Sequence, residues 1–175
     1  MKLVLLASNS LHNKGWITEM AQNFTRLFDE CYVHEYEHWQ KGQGMINFDR
    51  ELQRLKGLLE GQKYVIFAKS AGVALAMKGI HEGVLKPKMC LFVSTPIFWA
   101  EEHGIPLRNW FEDYSTPTFF IQKTKDPVIG SKQLKEKLSA FNLKNCKFRS
   151  IEGEGRDYED AQYLTKEMHE LIDKK

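Results

Sequence analysis

The sequence predicts an α/β fold, a three-layer sandwich in which a mostly parallel sheet of about six strands lies between helices. Three observations predict it. Short apolar runs alternate along the chain with segments whose apolar residues recur at helical spacing. Two of these runs, LVLLA from Leu3 and VIFA from Val65, are apolar throughout, as in strands covered on both faces. One run passes into its helix through a tight corner, Lys69-Ser70-Ala71-Gly72. With 175 residues, 42% of them hydrophobic, the chain is long enough for one buried core and short for two, so a single domain over 1–175 is expected.

The elements follow in order. Lys2 to Ala7 reads as a strand that leaves through the polar loop SNSLHNK, and Gly15 to Phe28 as a helix with Ile17, Met20, Phe24, Leu27 and Phe28 at helical spacing. Cys31 to Tyr36 is the second strand, followed by a loop from Glu37 to Gly44. Phe48, Leu52, Leu55, Leu58 and Leu59 form the apolar stripe of a helix ending near Gly61. Val65 to Ala68 is the third strand, and Val73 to Ile80 its helix. Lys88 to Ser94 and Thr118 to Gln122, the latter headed by Pro117, are the fourth and fifth strands. Between them Ile97 to Tyr114 reads as a loop-like insert rich in aromatics: Phe98, Trp99, Trp110, Phe111 and Tyr114, with Glu101, Glu102 and His103. A helix over Ser131 to Phe141, a sixth strand over Cys146 to Ile151 and a last helix over Tyr158 to Asp173 complete the chain.

Charge and cysteine usage narrow the function. The formal charge of +2 arises from 25 basic and 23 acidic residues without a long basic run, so nucleic acid is not an expected partner. Cys31, Cys90 and Cys146 lack metal-ligand spacing, and their odd number beside apolar strands suggests buried reduced thiols in a cytoplasmic protein. No metal or cofactor is implied. The apolar run Leu3 to Ala7 is short and no segment approaches transmembrane length, so a membrane partner is not expected either. The expected partner is a small-molecule substrate or anion, the protein acting as a monomer or homodimer.

Ser70 is the leading candidate for chemistry. A serine between a strand's carboxyl end and a helix's amino end is held out of the sheet, where free backbone N–H groups can receive a developing negative charge. The stretch Ala68-Lys69-Ser70-Ala71-Gly72 is similar to the Gly-x-Ser-x-Gly nucleophile elbow of α/β-hydrolases, with Ala68 for the first glycine. Nearly the whole order of elements resembles a small, serine esterase-like α/β-hydrolase. The resemblance places the acid of a catalytic triad after the fifth strand, at Asp126 in DPVIG; read alone, Asp126 is also a turn residue before Pro127. It implies an oxyanion hole from the Ala71 N–H and a second N–H near Ser8 or Asn9, although this first loop lacks the family's His-Gly start. It makes the aromatic insert a possible lid, with Trp99, His103 and Trp110 as pocket walls; core packing is the other reading of those rings.

The triad histidine of the family falls in the loop after the last strand, and here that loop reads EGEGRDYED, with Arg156 at the histidine's place. An arginine stays protonated and cannot take the proton of a serine. Three outcomes follow. His12, His38 or His103 supplies the base; or Asp126 and Arg156 pair beside Ser70 to form an anion-binding pocket without turnover; or the site is a relic in an interaction module. The resemblance therefore implies a serine hydrolase acting on a small ester or acyl substrate, with activity weak or lost. A flavodoxin-like nucleotide binder, with SNSLHNKG cradling a phosphate, is the third class, but no Gly-x-Gly-x-x-Gly follows the first strand.

Overall fold

The computed structural model describes residues 1–42, 44–141 and 143–173. Its elements run β1 Lys2–Leu6, α1 Asn13–Phe24, β2 Glu30–Val33, a 3-10 turn Glu37–Lys41, α2 Phe48–Leu59, β3 Tyr64–Lys69 and α3 Ala71–His81. They continue with β4 Cys90–Val93, α4 Ile97–Glu102, α5 Leu107–Trp110, β5 Thr118–Lys125, α6 Ser131–Ser139, β6 Cys146–Glu154 and α7 Ala161–Asp173. The six strands form one sheet in the order β2-β1-β3-β4-β5-β6. Every neighbouring pair is parallel, which sharpens the expectation of a mostly parallel sheet.

Parallel neighbours need crossovers, and crossovers between parallel strands are right-handed. The chain steps one way from β1 to β2, then back past β1 to β3 and onward to β6. That reversal puts α1 on one face of the sheet and α2, α3 and α6 on the other. Helix α7 packs against α1 and so returns to the first face, while α3 meets α2 and α5. The reversal point between β1 and β3 is where an open α/β sheet leaves a crevice at the carboxyl ends of its strands.

The central strands explain themselves by burial. Leu3 to Leu6, Val65 to Ala68 and Cys90 to Val93 are fully buried, as both faces of their strands are covered. Phe67 meets Phe24 of α1 edge-on at 5.1 Å between ring centroids, and Phe92 meets Phe120 at 5.7 Å. Burying each such side chain contributes about 1.5–3 kcal/mol. Helix α2 starts where the Asn47 side chain accepts the Arg50 N–H at 3.1 Å, and it turns Leu52, Leu55 and Leu59 inward.

The aromatic insert differs from the loop-like reading. It holds two short helices, α4 and α5, each entered from a proline, Pro96 and Pro106, whose missing N–H costs nothing at a helix start. Phe111 is fully buried and stacks on Phe141 at 5.4 Å, and Trp110 meets the edge of Phe48 at 6.4 Å. Most of these rings therefore fill the core. The cysteines are free; Cys90 is buried, but Cys31 and Cys146 are half-buried, which corrects the expectation that all three are buried. Desolvation pushes the Cys90 thiol up to about 12 and Cys146 to about 11, so both stay protonated at neutral pH. No described helix is long and apolar enough to cross a membrane.

Candidate active site

The site gathers at the carboxyl ends of five strands. At the end of β3, Ser70 takes φ 52° and ψ −118°, a left-handed conformation costing about 1–3 kcal/mol in a residue other than glycine. The surroundings enforce it. The Ser70 N–H is held by the Val93 carbonyl of β4 at 3.1 Å, while its own carbonyl accepts the Val73 N–H at 2.8 Å and so opens α3. Helix α3 lies directly on the end of β1: a Cβ at Gly72 would stand 2.3 Å from the Leu6 carbonyl oxygen and 2.6 Å from that of Ala7. Only glycine fits there. The first two N–H groups of α3, those of Ala71 and Gly72, have no acceptor within the helix by geometry.

Asp126 follows β5, and its side chain is wholly buried. Its Oδ1 accepts the Val128 N–H at 2.9 Å, closing a turn around Pro127, and its Oδ2 accepts the Ser94 hydroxyl at 2.6 Å. The two sequence readings of this aspartate, turn residue and acid facing the site, are thus compatible. Ser94, which sequence reasoning missed, ends β4 with φ 52°, the same backbone value as Ser70. The available signal was the polar Ser94-Thr95 pair directly after a buried strand. Thr95 N–H donates to Gln122 Oε1 at 2.9 Å, and Gln122 Nε2 donates to the Ile129 carbonyl at 2.8 Å, so one buried amide ties β4 to the loop carrying Asp126.

Arg156 closes the group. Its Nη2 donates to Ser70 Oγ, its Nε reaches Ser94 Oγ at 3.4 Å, and the same Nε lies 4.0 Å from Asp126 Oδ1. The guanidinium stands between the serine hydroxyl and the carboxylate. Its loop is fastened on both sides: Lys123 Nζ donates to the carbonyls of Glu154, at 3.1 Å, and Asp157, and Trp16 Nε1 donates to the Tyr158 carbonyl at 2.8 Å.

A cavity of about 240 Å³ opens beside Ser70, bounded by Ser8, Asn9, Ser10 and Asn13 of the first loop, by Lys69, Ser70 and Ala71 of the elbow, and by Trp99, Arg156 and Asp157. Of the three pocket walls suggested by the resemblance only Trp99 lines it. His103 lies exposed beside the Trp99 ring with Nδ1 at 2.8 Å from the Trp99 carbonyl, and Trp110 is turned into the core against Phe48. Asn9 reaches the cavity rim with its side chain already used: Oδ1 accepts the Ile46 N–H at 2.8 Å and Nδ2 donates to the Gly44 carbonyl at 3.0 Å.

None of the three histidines considered as a substitute base lines the cavity. His38 Nε2 is 2.8 Å from the Asn9 carbonyl, which also accepts Trp39 Nε1 at 2.9 Å; His12 is exposed at the start of α1; His103 is engaged by Trp99. A second residue that sequence reasoning missed is Lys69. It is only 3% exposed, its Nζ donates to Asn13 Oδ1 at 2.8 Å, and it sits 4.5 Å above the centre of the Trp16 ring.

Comparison with known proteins places this geometry in a fold. No family model matches the sequence, and no curated protein matches it. Solved structures do. An uncharacterised Bacillus cereus protein superposes with a TM-score of 0.76 at 15% identity over 99% of this chain and 60% of its own, so this chain spans about three fifths of that protein. A serine hydrolase homologue from Coxiella burnetii gives 0.72 at 18% identity, covering 98% of this chain and 83% of the other. An esterase from Pyrococcus furiosus gives 0.70 at 12% identity, covering 98% and 80%. The chain has the α/β-hydrolase fold, a six-stranded parallel sheet flanked by helices.

Proposed function

We propose that this chain carries a serine esterase-type site that turns over small ester or acyl substrates weakly or not at all. The observation that carries the reading is the Arg156 guanidinium donating to Ser70 Oγ, in the space between serine and Asp126 where a base would work. Guanidinium offers five N–H donors and no acceptor. It therefore engages one of the two lone pairs of the hydroxyl oxygen, which lowers its nucleophilicity, and it cannot remove the hydroxyl proton. The remaining parts suit acyl chemistry: a strained serine on a strand-to-helix corner and the N–H groups of α3 placed for an oxyanion. A cavity of about 240 Å³ is smaller than the roughly 300–1,000 Å³ of pockets for drug-sized ligands, which favours a short acyl group. The esterase named among the similar structures supports the substrate class by analogy of fold.

Hydrolysis of p-nitrophenyl acetate by the wild type and by Ser70→Ala tests this reading. Any difference between the two proteins is expected to correspond to a serine-dependent kcat well below roughly 1 s⁻¹. A serine-dependent kcat above roughly 1 s⁻¹, the lower end of ordinary enzymes, would sink the reading.

A further inference from the structure

We infer that the cavity beside Ser70 binds one small oxyanion, a carboxylate or phosphate group, between the Lys69 ammonium and the Arg156 guanidinium, with the Ser70 hydroxyl and the first N–H groups of α3 completing its contacts. The inference rests on the preceding reading in one respect, that Arg156 serves as a cation and not as a stand-in base.

Lys69 is the observation behind it. Lysine is almost never this buried without a paired charge. Here the ammonium is held by a neutral amide, Asn13, and by the face of Trp16, and among the described residues no carboxylate lies within 4.0 Å of it. Both of its protein contacts stabilise a cation without neutralising it. Lys69 and Arg156 line the same cavity, so two positive groups from β3 and from the loop after β6 converge on one space at a helix amino end. The nearby carboxylates do not fill that role. Asp126 is buried behind Arg156 with both oxygens engaged, and Asp157 stands exposed at the rim. Both act on the ammonium only from beyond 4.0 Å, and a bound oxyanion would provide a counter-charge in contact with it.

The same arrangement gives a pH dependence. Desolvation lowers the Lys69 pKa to about 8; Asp157 and Asp126 oppose the shift, while Arg156 and Lys123 add to it. An anion that binds the charged amine is held below that value and released as the pH rises through it. Trp16, packed over the amine, does not titrate.

Thermal unfolding of the full chain in sodium phosphate or sodium propionate, compared with sodium chloride at equal ionic strength and pH 7, tests the inference. At about one hundred times Kd, at least one of the two anions should raise Tm by roughly 5–10 °C beyond chloride. Phosphate alone, propionate alone or both would identify the group recognised. The rise should fall to less than half in Lys69→Met and in Arg156→Gln, and in propionate it should shrink between pH 7 and pH 9.5, where that carboxylate does not titrate. Should Lys69→Met not fold, Arg156→Gln and the pH series decide. Equal shifts in wild type and variants, or no shift beyond chloride, overturn the inference. The ester assay separates the two claims: no turnover with no anion effect removes this inference alone, whereas rapid serine-dependent turnover removes the reading beneath it.

Discussion

Arg156→His is expected to hydrolyse p-nitrophenyl acetate about 10²–10⁴-fold faster than the wild type, the usual contribution of a positioned general base. The gain follows from where the side chain stands. From position 156 the wild-type guanidinium touches Ser70 and lies 4.0 Å from Asp126, so an imidazole there would find a hydroxyl on one side and a carboxylate on the other. A neutral imidazole accepts through one nitrogen and donates through the other, as a base oriented by an acid must. Histidine is shorter than arginine, and the loop has to approach the serine by that difference. Gly153 at φ 144° and Gly155 at φ 72° give the segment the backbone freedom to do so. Turnover in Arg156→His should rise with pH as the imidazole loses its proton, and it should vanish in the Ser70→Ala, Arg156→His double variant. A folded Arg156→His protein no faster than the wild type would show that position 156 is not the base's place.

Glu51→Ala should lower the free energy of unfolding by about 3–5 kcal/mol, the cost of removing a buried carboxylate from the groups that pair with it, measured by urea denaturation at pH 7. Glu51 and His34 are each about 1% exposed. The Glu51 carboxylate accepts His34 Nε2 at 2.8 Å, Arg54 Nη1 at 2.5 Å and the Glu37 N–H at 2.8 Å, and all three lose their acceptor in the variant. The consequence reaches the site. Beyond His34 the chain stacks Tyr36 on His38 at 5.6 Å and sets Tyr36 against Trp39 at 4.9 Å, and these rings hold the first loop through the Ala7 and Asn9 carbonyls. Burial alone would raise the Glu51 pKa, but the hydrogen bonds from His34 and Glu37 and the charge of Arg54 lower it overall. A depressed folded-state pKa contributes stability that is present above the group's ordinary value of 4.5 and lost as the pH falls through the folded value. The gap between wild type and Glu51→Ala should therefore narrow in acid. An unchanged gap at low pH would count against the ionised Glu51 carboxylate as the source of the stability.

Local pattern made the elbow legible in sequence. A buried strand, small residues and a serine at the junction are all signalled within a few residues of Ser70, and the resemblance to α/β-hydrolases implies an acid after the fifth strand, at Asp126. Lys69 was not legible, because a lysine at the end of an apolar strand looks like its solvated boundary. Its burial depends on Asn13 and Trp16, more than fifty residues away in sequence. Ser94 was hidden for a similar reason, since its role needs Asp126 and Arg156 to converge on it. Strand ends were misjudged where pairing, not composition, sets them. Cys31 to Tyr36 reads as a strand in sequence, yet β2 is an edge strand and stops near the end of its neighbour β1, with His34 N–H donating to the Leu5 carbonyl. Conversely β6 runs past Ile151 to Glu154 because β5 continues beside it to Lys125. Trp110 could not be sorted from Trp99 by sequence: both are aromatic residues in the same insert, and only the packing of α5 on α3 turns one of them away from the cavity.

Reaction with a fluorophosphonate most directly probes the hydroxyl itself, because covalent capture needs a serine whose proton can leave but no particular substrate. At pH 8 the wild type should remain as unlabelled as Ser70→Ala over a period in which Arg156→His is modified at Ser70. Fast, stoichiometric modification of wild-type Ser70 would contradict the account, since a base would then be acting on it from somewhere other than position 156.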